Sequence, residues 1–286
     1  MAESLAHTFG QIIGNVLEEA IEPALREFAD QHGLYLDRKG PRKARKGKKV
    51  TWTDLYGNAH DLDFVLERGG TEDTIGIPVA FIETAWRRYT KHSRNKAQEI
   101  QGAIQVLALT HKYCCPFIGA ILAGVFTSGA INQLKSLGFH VLYFPYESII
   151  QAFQKVGFDA DFDERTPEKD FRRKLSRWKA TSTKAKRTAA AQLVARHQKD
   201  VDSFFSALAS TVARCIEKII VIPLHGREIE CSSAAEAIAL LTSYESTQVQ
   251  ATVYKYEIQV RYSNGDKIMA EFAEKPAALE FLERYK

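Results

Sequence analysis

Three acidic residues, Asp61, Asp63 and Glu83, fall in or at the ends of two apolar runs. The first run reads His60-Asp61-Leu62-Asp63-Phe64-Val65-Leu66-Glu67, and the second Ile77-Pro78-Val79-Ala80-Phe81-Ile82-Glu83-Thr84-Ala85. In an extended strand, residues two apart point the same way. Asp61 and Asp63 then share one face, and Glu83, at the end of the adjacent strand, can converge on them. Carboxylates gathered at one end of a sheet repel unless a cation or protons relieve them. Hard oxygen ligands of this kind suit Mg²⁺, with Mn²⁺ as a substitute, completed by water and phosphate oxygens. Such an ion polarises phosphorus, lowers the pKa of an attacking water and stabilises the leaving oxygen.

The run Trp86-Arg87-Arg88-Tyr89-Thr90-Lys91-His92-Ser93-Arg94-Asn95-Lys96 follows at once and holds six potential cations when His92 is counted. So dense a cluster repels itself without an anion. Arg87, Arg88, Lys91, Arg94 and Lys96 are therefore read as a phosphate clamp, helped by the N-terminus of the next helix. A solvated helix entrance capped by Ser93 is the plainer alternative. Glu99 is either an extra metal ligand or an i,i+3 partner for Lys96. His60 and His92 flank the acids and are treated as structural or exposed rather than as the base.

This arrangement resembles the PD-(D/E)XK nuclease superfamily, which includes the type II restriction endonucleases, over roughly residues 5 to 156. Asp63 looks like the family's metal-binding Asp, Asp61 falls where many members carry an additional acid, and Glu83 looks like the second-motif acid. The 20-residue interval from Asp63 to Glu83 is typical of a strand-turn-strand step. One position departs from the pattern: Ala85 stands where the family lysine would sit. Lys91 or Lys96, at the start of the next helix, could take over that role, a displacement the superfamily permits. An inactivating substitution or a site that only binds are the other two readings.

Around these residues the elements follow from periodicity. Apolar positions from Phe9 to Phe28 predict a helix over residues 5–31, interrupted at Pro23 and stopped at Gly33. Glu18, Glu19 and Glu22 lie on it and read as exposed acids, although one could face the site. Residues 50–55 and 61–67 predict a hairpin, and 77–85 a strand. A helix over 93–111, a strand over 117–126, a helix over 130–137, a strand over 139–144 and a helix over 148–156 complete the region. Helices interleaved with strands imply an α/β fold with a mixed central sheet, the restriction-endonuclease-like core that the resemblance also implies.

Residues 167–216 read as helical with a break at Thr181-Ser182-Thr183. From Lys218 onward a strand-strand-helix unit repeats. Gly226 and Gly265 lie 39 residues apart, and Leu241 and Leu282 lie 41 apart. Asn264-Gly265 is a strong hairpin signal. The expected organisation is a core over 1–165, a basic helical region over 166–216 and a small module of two ββα units over 217–286.

The net charge of +4 hides a strong asymmetry. Residues 38–49 carry eight basic side chains and no acid, and residues 172–199 carry ten and no acid. Concentration of this kind points to a polyanion. Arg42, Lys43, Arg45 and Lys46 in the first stretch, expected to be a mobile arm or loop, are candidate phosphate contacts. So are Arg172, Arg173, Lys174, Arg177 and Lys179 in the second, with Trp178 among them. Cys114, Cys115, Cys215 and Cys231 lack metal-ligand spacing, so reduced thiols and a cytoplasmic setting are expected. No apolar run is long enough to span a bilayer.

The expectation is a Mg²⁺-dependent endonuclease of the restriction or defence type. It would cleave DNA, duplex by preference, as a homodimer by analogy with the family, with Asp63, Glu83 and Lys91 or Lys96 as catalytic residues. The alternative is a catalytically inactive nucleic-acid-binding protein on the same scaffold.

Overall fold

The computed structural model describes residues 4–223, 228–244 and 255–286. It divides into two compact units, Met1–Ala209 and Ser210–Lys286. Among the described residues no helix is long and apolar enough to cross a membrane.

The first unit opens with α1 (Leu5–Gln31), capped by the Ser4 side chain, which accepts from the His7 N–H. Pro23 lies inside α1 without dividing it. Gly33, at φ 64°, then takes the left-handed turn that lets the chain leave the helix. The strands β1 (Leu34–Arg38), β2 (Val50–Thr53), β3 (Ala59–Leu62), β4 (Phe64–Arg68) and β5 (Ile77–Arg87) follow. Then come a 3₁₀ turn over Thr90–His92, α2 (Ser93–Thr110), β6 (Phe117–Gly124), α3 (Ser128–Ser136), β7 (His140–Pro145) and α4 (Tyr146–Gln154).

Five strands form one mixed sheet in the order β1-β4-β5-β6-β7. The β1–β4 and β4–β5 pairs are antiparallel, while β5–β6 and β6–β7 are parallel. Helix α2 makes the crossover between β5 and β6. Its apolar stripe, Ala97, Ile100, Ile104 and Leu107, packs with Phe81 and Ala85 of β5 and with Ala120 and Leu122 of β6. Helix α1 packs against β1 and β5. The fold is therefore α/β with a mixed sheet flanked by helices.

Two local expectations are corrected. The hairpin is only β2 with β3, a separate two-stranded ribbon, and β4 belongs to the large sheet. The edge strand β1 was not anticipated. The stretch 39–49 is also not a free arm: Arg42 and Arg45 tie it to the sheet, as detailed below.

Helices α5 (Glu168–Ala180), α6 (Thr183–Arg196) and α7 (Gln198–Val212) follow. Residues through Ala209 cluster with the core rather than forming a region of their own. Helix α1 packs on α5 and α6, and α4 packs on α6. Trp178 is buried against Phe153 and Phe158, with ring centroids 5.1 and 5.0 Å away. It is core, and does not stack on bases from the helix surface.

The second unit contains β8 (Ile216–Pro223), β9 (Ile229–Cys231), α8 (Ala234–Ser243), β10 (Tyr256–Tyr262), β11 (Lys267–Phe272) and α9 (Lys275–Glu283). Its strands form an antiparallel sheet in the order β11-β10-β8-β9. The Asn264-Gly265 turn joins β10 to β11, with Gly265 at φ 90°. The corresponding turn at Gly226 lies outside the described residues. Of its cysteines, Cys231 is buried and Cys215 is exposed.

Candidate active site

Asp63 is the residue at which the chain passes from the ribbon to the large sheet. Leu62, before it, pairs with Val50 of β2, and Phe64, after it, pairs with Ile82 of β5. That break frees the Asp63 side chain from either ladder and sets it beside β5. There Asp63 Oδ2 accepts from both the backbone N–H and the hydroxyl of Thr84, each at 2.7 Å. Thr84 is itself buried.

Glu83 is one residue earlier on β5, with its side chain 16% exposed. Its Oε1 lies 3.6 Å from Lys96 Nζ, while its Oε2 is buried and has no hydrogen-bond partner. Burial is the main reason its carboxyl is pushed up to about 8, and the Asp63 charge adds to it. Lys96 and the Asp63 backbone N–H oppose the shift without cancelling it.

Glu18 comes from α1. Burial first, and the Asp63 charge second, push its carboxyl up to about 7. Glu18, Asp63, Glu83 and Lys96 line one cavity of about 630 Å³ between α1 and the end of β5. Three carboxyl groups thus line a partly dry site, with Lys96 beside Glu83 and Lys39 acting on Glu18, and Glu18 and Glu83 stay protonated into the neutral range. Among the described residues no three His, Cys, Asp or Glu side chains are already gathered as a metal-ligand group.

The structure distinguishes the two lysine candidates. Lys96 is 18% exposed and reaches both Glu83 and, at 3.3 Å, Glu99. Lys91 is 64% exposed and pairs with Glu164 at 3.2 Å, away from the acids. Ala85 is buried in the apolar cluster under α2 and also lines the cavity that holds the acids.

Two proposed ligands lie elsewhere. Asp61 points to the ribbon, where Lys49 and the Thr51 hydroxyl hold its carboxyl below the usual range. The side-chain alternation that put Asp61 with Asp63 fails because the strand breaks between them. Glu99 is 59% exposed at the rim and pairs with Lys96 and, at 3.7 Å, with Arg87. His60 bonds to Asp54 at 3.0 Å and is structural.

The candidate phosphate contacts divide. Arg87, Arg88 and Lys96 line the cavity, and Arg94 is exposed at the start of α2. Arg42 is withdrawn from any such role. Its guanidinium, 1% exposed, forks onto Glu67 at 2.6 and 2.9 Å, contacts Asp37 at 2.9 Å and donates to the Thr71 and Thr74 carbonyls. Arg45 is likewise spent on Asp37 and on the Arg38, Gly40 and Gly47 carbonyls. Lys174 is buried against Asp159, and Arg177 donates to the Gly157 carbonyl. Lys43, Lys46, Arg172, Arg173 and Lys179 remain exposed, Lys43 near Asp73 and the two arginines beside Glu168 and Asp170.

Sequence reasoning did not single out Glu18 or Thr84. The signal for Glu18 was faint: Gly10, Gly14 and Glu18 recur every four residues and form one stripe of α1 along the cavity. Glu22, next in that series, is instead paired with Arg26 and Arg38. No protein-family model, curated protein or solved structure matches the chain.

Proposed function

We propose that this chain is a metal-dependent nuclease of the PD-(D/E)XK type, with the first unit as a restriction-endonuclease-like core. The observation that carries the reading is the uncompensated acid cluster, above all the buried Glu83 Oε2 without a partner. A divalent cation is what this donor set would accept: hard carboxyl oxygens lining one cavity open to phosphate, one of them without a partner. Asp63 and Glu83 would hold Mg²⁺ or Mn²⁺, with Glu18 as a third carboxylate. When bound, the ion supplies an activated water and neutralises charge on the phosphate.

The chain's own residues do the rest. Thr84 fixes the Asp63 carboxylate through two hydrogen bonds. Lys96 stands in for the lysine that Ala85 replaces, and holds positive charge beside Glu83 where a phosphate oxygen would lie. Arg87 and Arg88 at the cavity edge attract the backbone of DNA. Exposed Arg94, Lys43, Lys46, Arg172, Arg173 and Lys179 extend that field. The second unit, with its two ββα halves, carries no chemistry in this reading.

A second reading is a binding protein on an inactive scaffold. It is favoured by buried Ala85 and by the absence of a preassembled ligand group among the described residues. Incubation with DNA in Mg²⁺ or Mn²⁺ separates the two. The nuclease reading expects cleavage that falls on the order of 10³-fold in Asp63→Ala and in Glu83→Ala. Undiminished cleavage in both variants removes the proposed site. Salt-sensitive binding without any product, under either metal, selects the second reading.

A further inference from the structure

Beyond the acids, the same cavity continues along α1, where His7, Gly10, Gln11 and Gly14 form its wall. From residue 7 to residue 18 that wall runs about 16 Å. Interior glycines weaken a helix, so two of them on one stripe are a local sacrifice. At Gly14 an added Cβ would meet nothing within 4 Å, because the space in front of it is open cavity.

Trp86 closes the trough at its Gly10 end, where an added Cβ would lie 3.3 Å from the indole nitrogen. Its six-membered ring presses on Gly124, where an added Cβ would lie 2.6 Å from a ring carbon, and its other edge faces Gly10. Tyr146 backs it at 5.9 Å between centroids. The indole is therefore gripped, yet it lines the cavity, and among the described residues its N–H has no acceptor. Arg88 is held beside it by the Phe162 carbonyl, 2.6 Å from Nε, and by the Tyr146 ring, 4.0 Å from the guanidinium carbon. Tyr89 also lines the trough.

A fixed aromatic platform, a pinned guanidinium and a bare helix wall leading to carboxylates match how proteins take single strands: bases stack and cations follow the backbone. A stacked duplex hides its base faces and would leave both the platform and the trough unused. Resting on the nuclease reading above, we infer that the substrate is an unpaired nucleic-acid strand, such as a single strand, flap or bulge, with a base on Trp86 and its phosphate at the acids.

The test uses the full chain with three matched oligonucleotides: single-stranded, fully duplex, and duplex with a short single-stranded flap. Each is made as DNA and as RNA, which identifies the sugar. Binding is read in EDTA by quenching of tryptophan fluorescence, and cleavage in Mg²⁺ or Mn²⁺. Single-stranded and flapped substrates should bind and be cut at least 10-fold better than the duplex. Quenching should vanish in Trp86→Phe while affinity is largely kept, whereas Trp86→Ala should weaken binding on the order of 10-fold. Gly14→Leu should fill the trough, leaving the melting temperature unchanged or higher and single-strand affinity lower. Duplex cut as well as single strand, or Trp86→Ala without effect on single-strand affinity, overturns the inference and leaves the nuclease reading standing. Trp86-dependent strand binding with no cleavage of any substrate supports the inference and defeats the nuclease reading.

Discussion

At the edge of the sheet, Arg42 and Arg45 meet Asp37 and Glu67, two cations against two acids, all but fully buried. At the other end of β4, Glu18, Asp63 and Glu83 line one cavity, with Lys96 beside Glu83 and Lys39 acting on Glu18. In the first cluster every Glu67 oxygen has a guanidinium partner, and Glu67 Oε2 also accepts from the Gly76 N–H at 2.6 Å. In the second, one Glu83 oxygen has none. Buried charge that is matched internally holds a fold together. A half-buried acid with an unpartnered oxygen, lining a cavity, is a candidate binding position.

The largest expected effect tests the matched cluster. Arg42→Ala leaves Glu67 and Asp37 buried without their partner and should destabilise the chain by about 3–5 kcal/mol in denaturant unfolding. If the loss is below about 1 kcal/mol, the matched cluster does not hold the 39–49 loop.

The unmatched cluster should act in the opposite direction. Glu18 and Glu83 are held in the folded chain above the ordinary glutamate value of 4.5, at about 7 and about 8. The folded chain therefore keeps protons that the unfolded chain has released. This contribution is full below about pH 4.5, falls progressively above it and is lost once pH has risen through 7 to 8, several kcal/mol in all in metal-free buffer. Glu18→Gln with Glu83→Gln should flatten that decline and stabilise the chain at pH 8. A decline that persists in the double variant places the titrating groups elsewhere.

Lys96 marks the boundary between the two kinds of cluster, because it is the cation that reaches Glu83. Lys96→Ala should lower cleavage about 10²-fold, and Lys91→Ala less than about 2-fold. Equal losses would mean that the exposed Lys91–Glu164 pair contributes as much as the buried lysine. The smallest effect belongs to the surface. Arg94→Ala should weaken DNA binding a few-fold, with the salt slope reduced by about 1, across all sequences alike.

The same contrast explains what was legible in the sequence. Strand β5, helix α2 and strands β6 and β7 follow from apolar periodicity, and Asp63 and Glu83 from their place at the ends of apolar runs. Glu18 was not distinguishable from Glu19 and Glu22, because only packing of α1 on β5 chooses which acid faces inward. Arg42 and Arg45 were misassigned for a related reason. Composition registers eight basic residues in twelve, but not that Asp37 sits on an unrecognised edge strand, β1, and Glu67 on β4, beneath them. Asp61 was misplaced by assuming one continuous strand where two meet. Partners far apart in sequence decided each case.

The central claim is that the Glu18–Asp63–Glu83 cluster is short of a divalent cation. Calorimetric titration of the metal-free chain with Mn²⁺ at pH 7, in two buffers of different ionisation enthalpy, tests it directly, since both binding and proton release are read together. The account expects binding with net proton release, because the metal must displace protons from Glu18 and Glu83. Release should diminish in Glu83→Gln, and binding should be lost in Asp63→Asn. No binding at millimolar Mn²⁺, or binding with no proton released and unchanged in both variants, would contradict it.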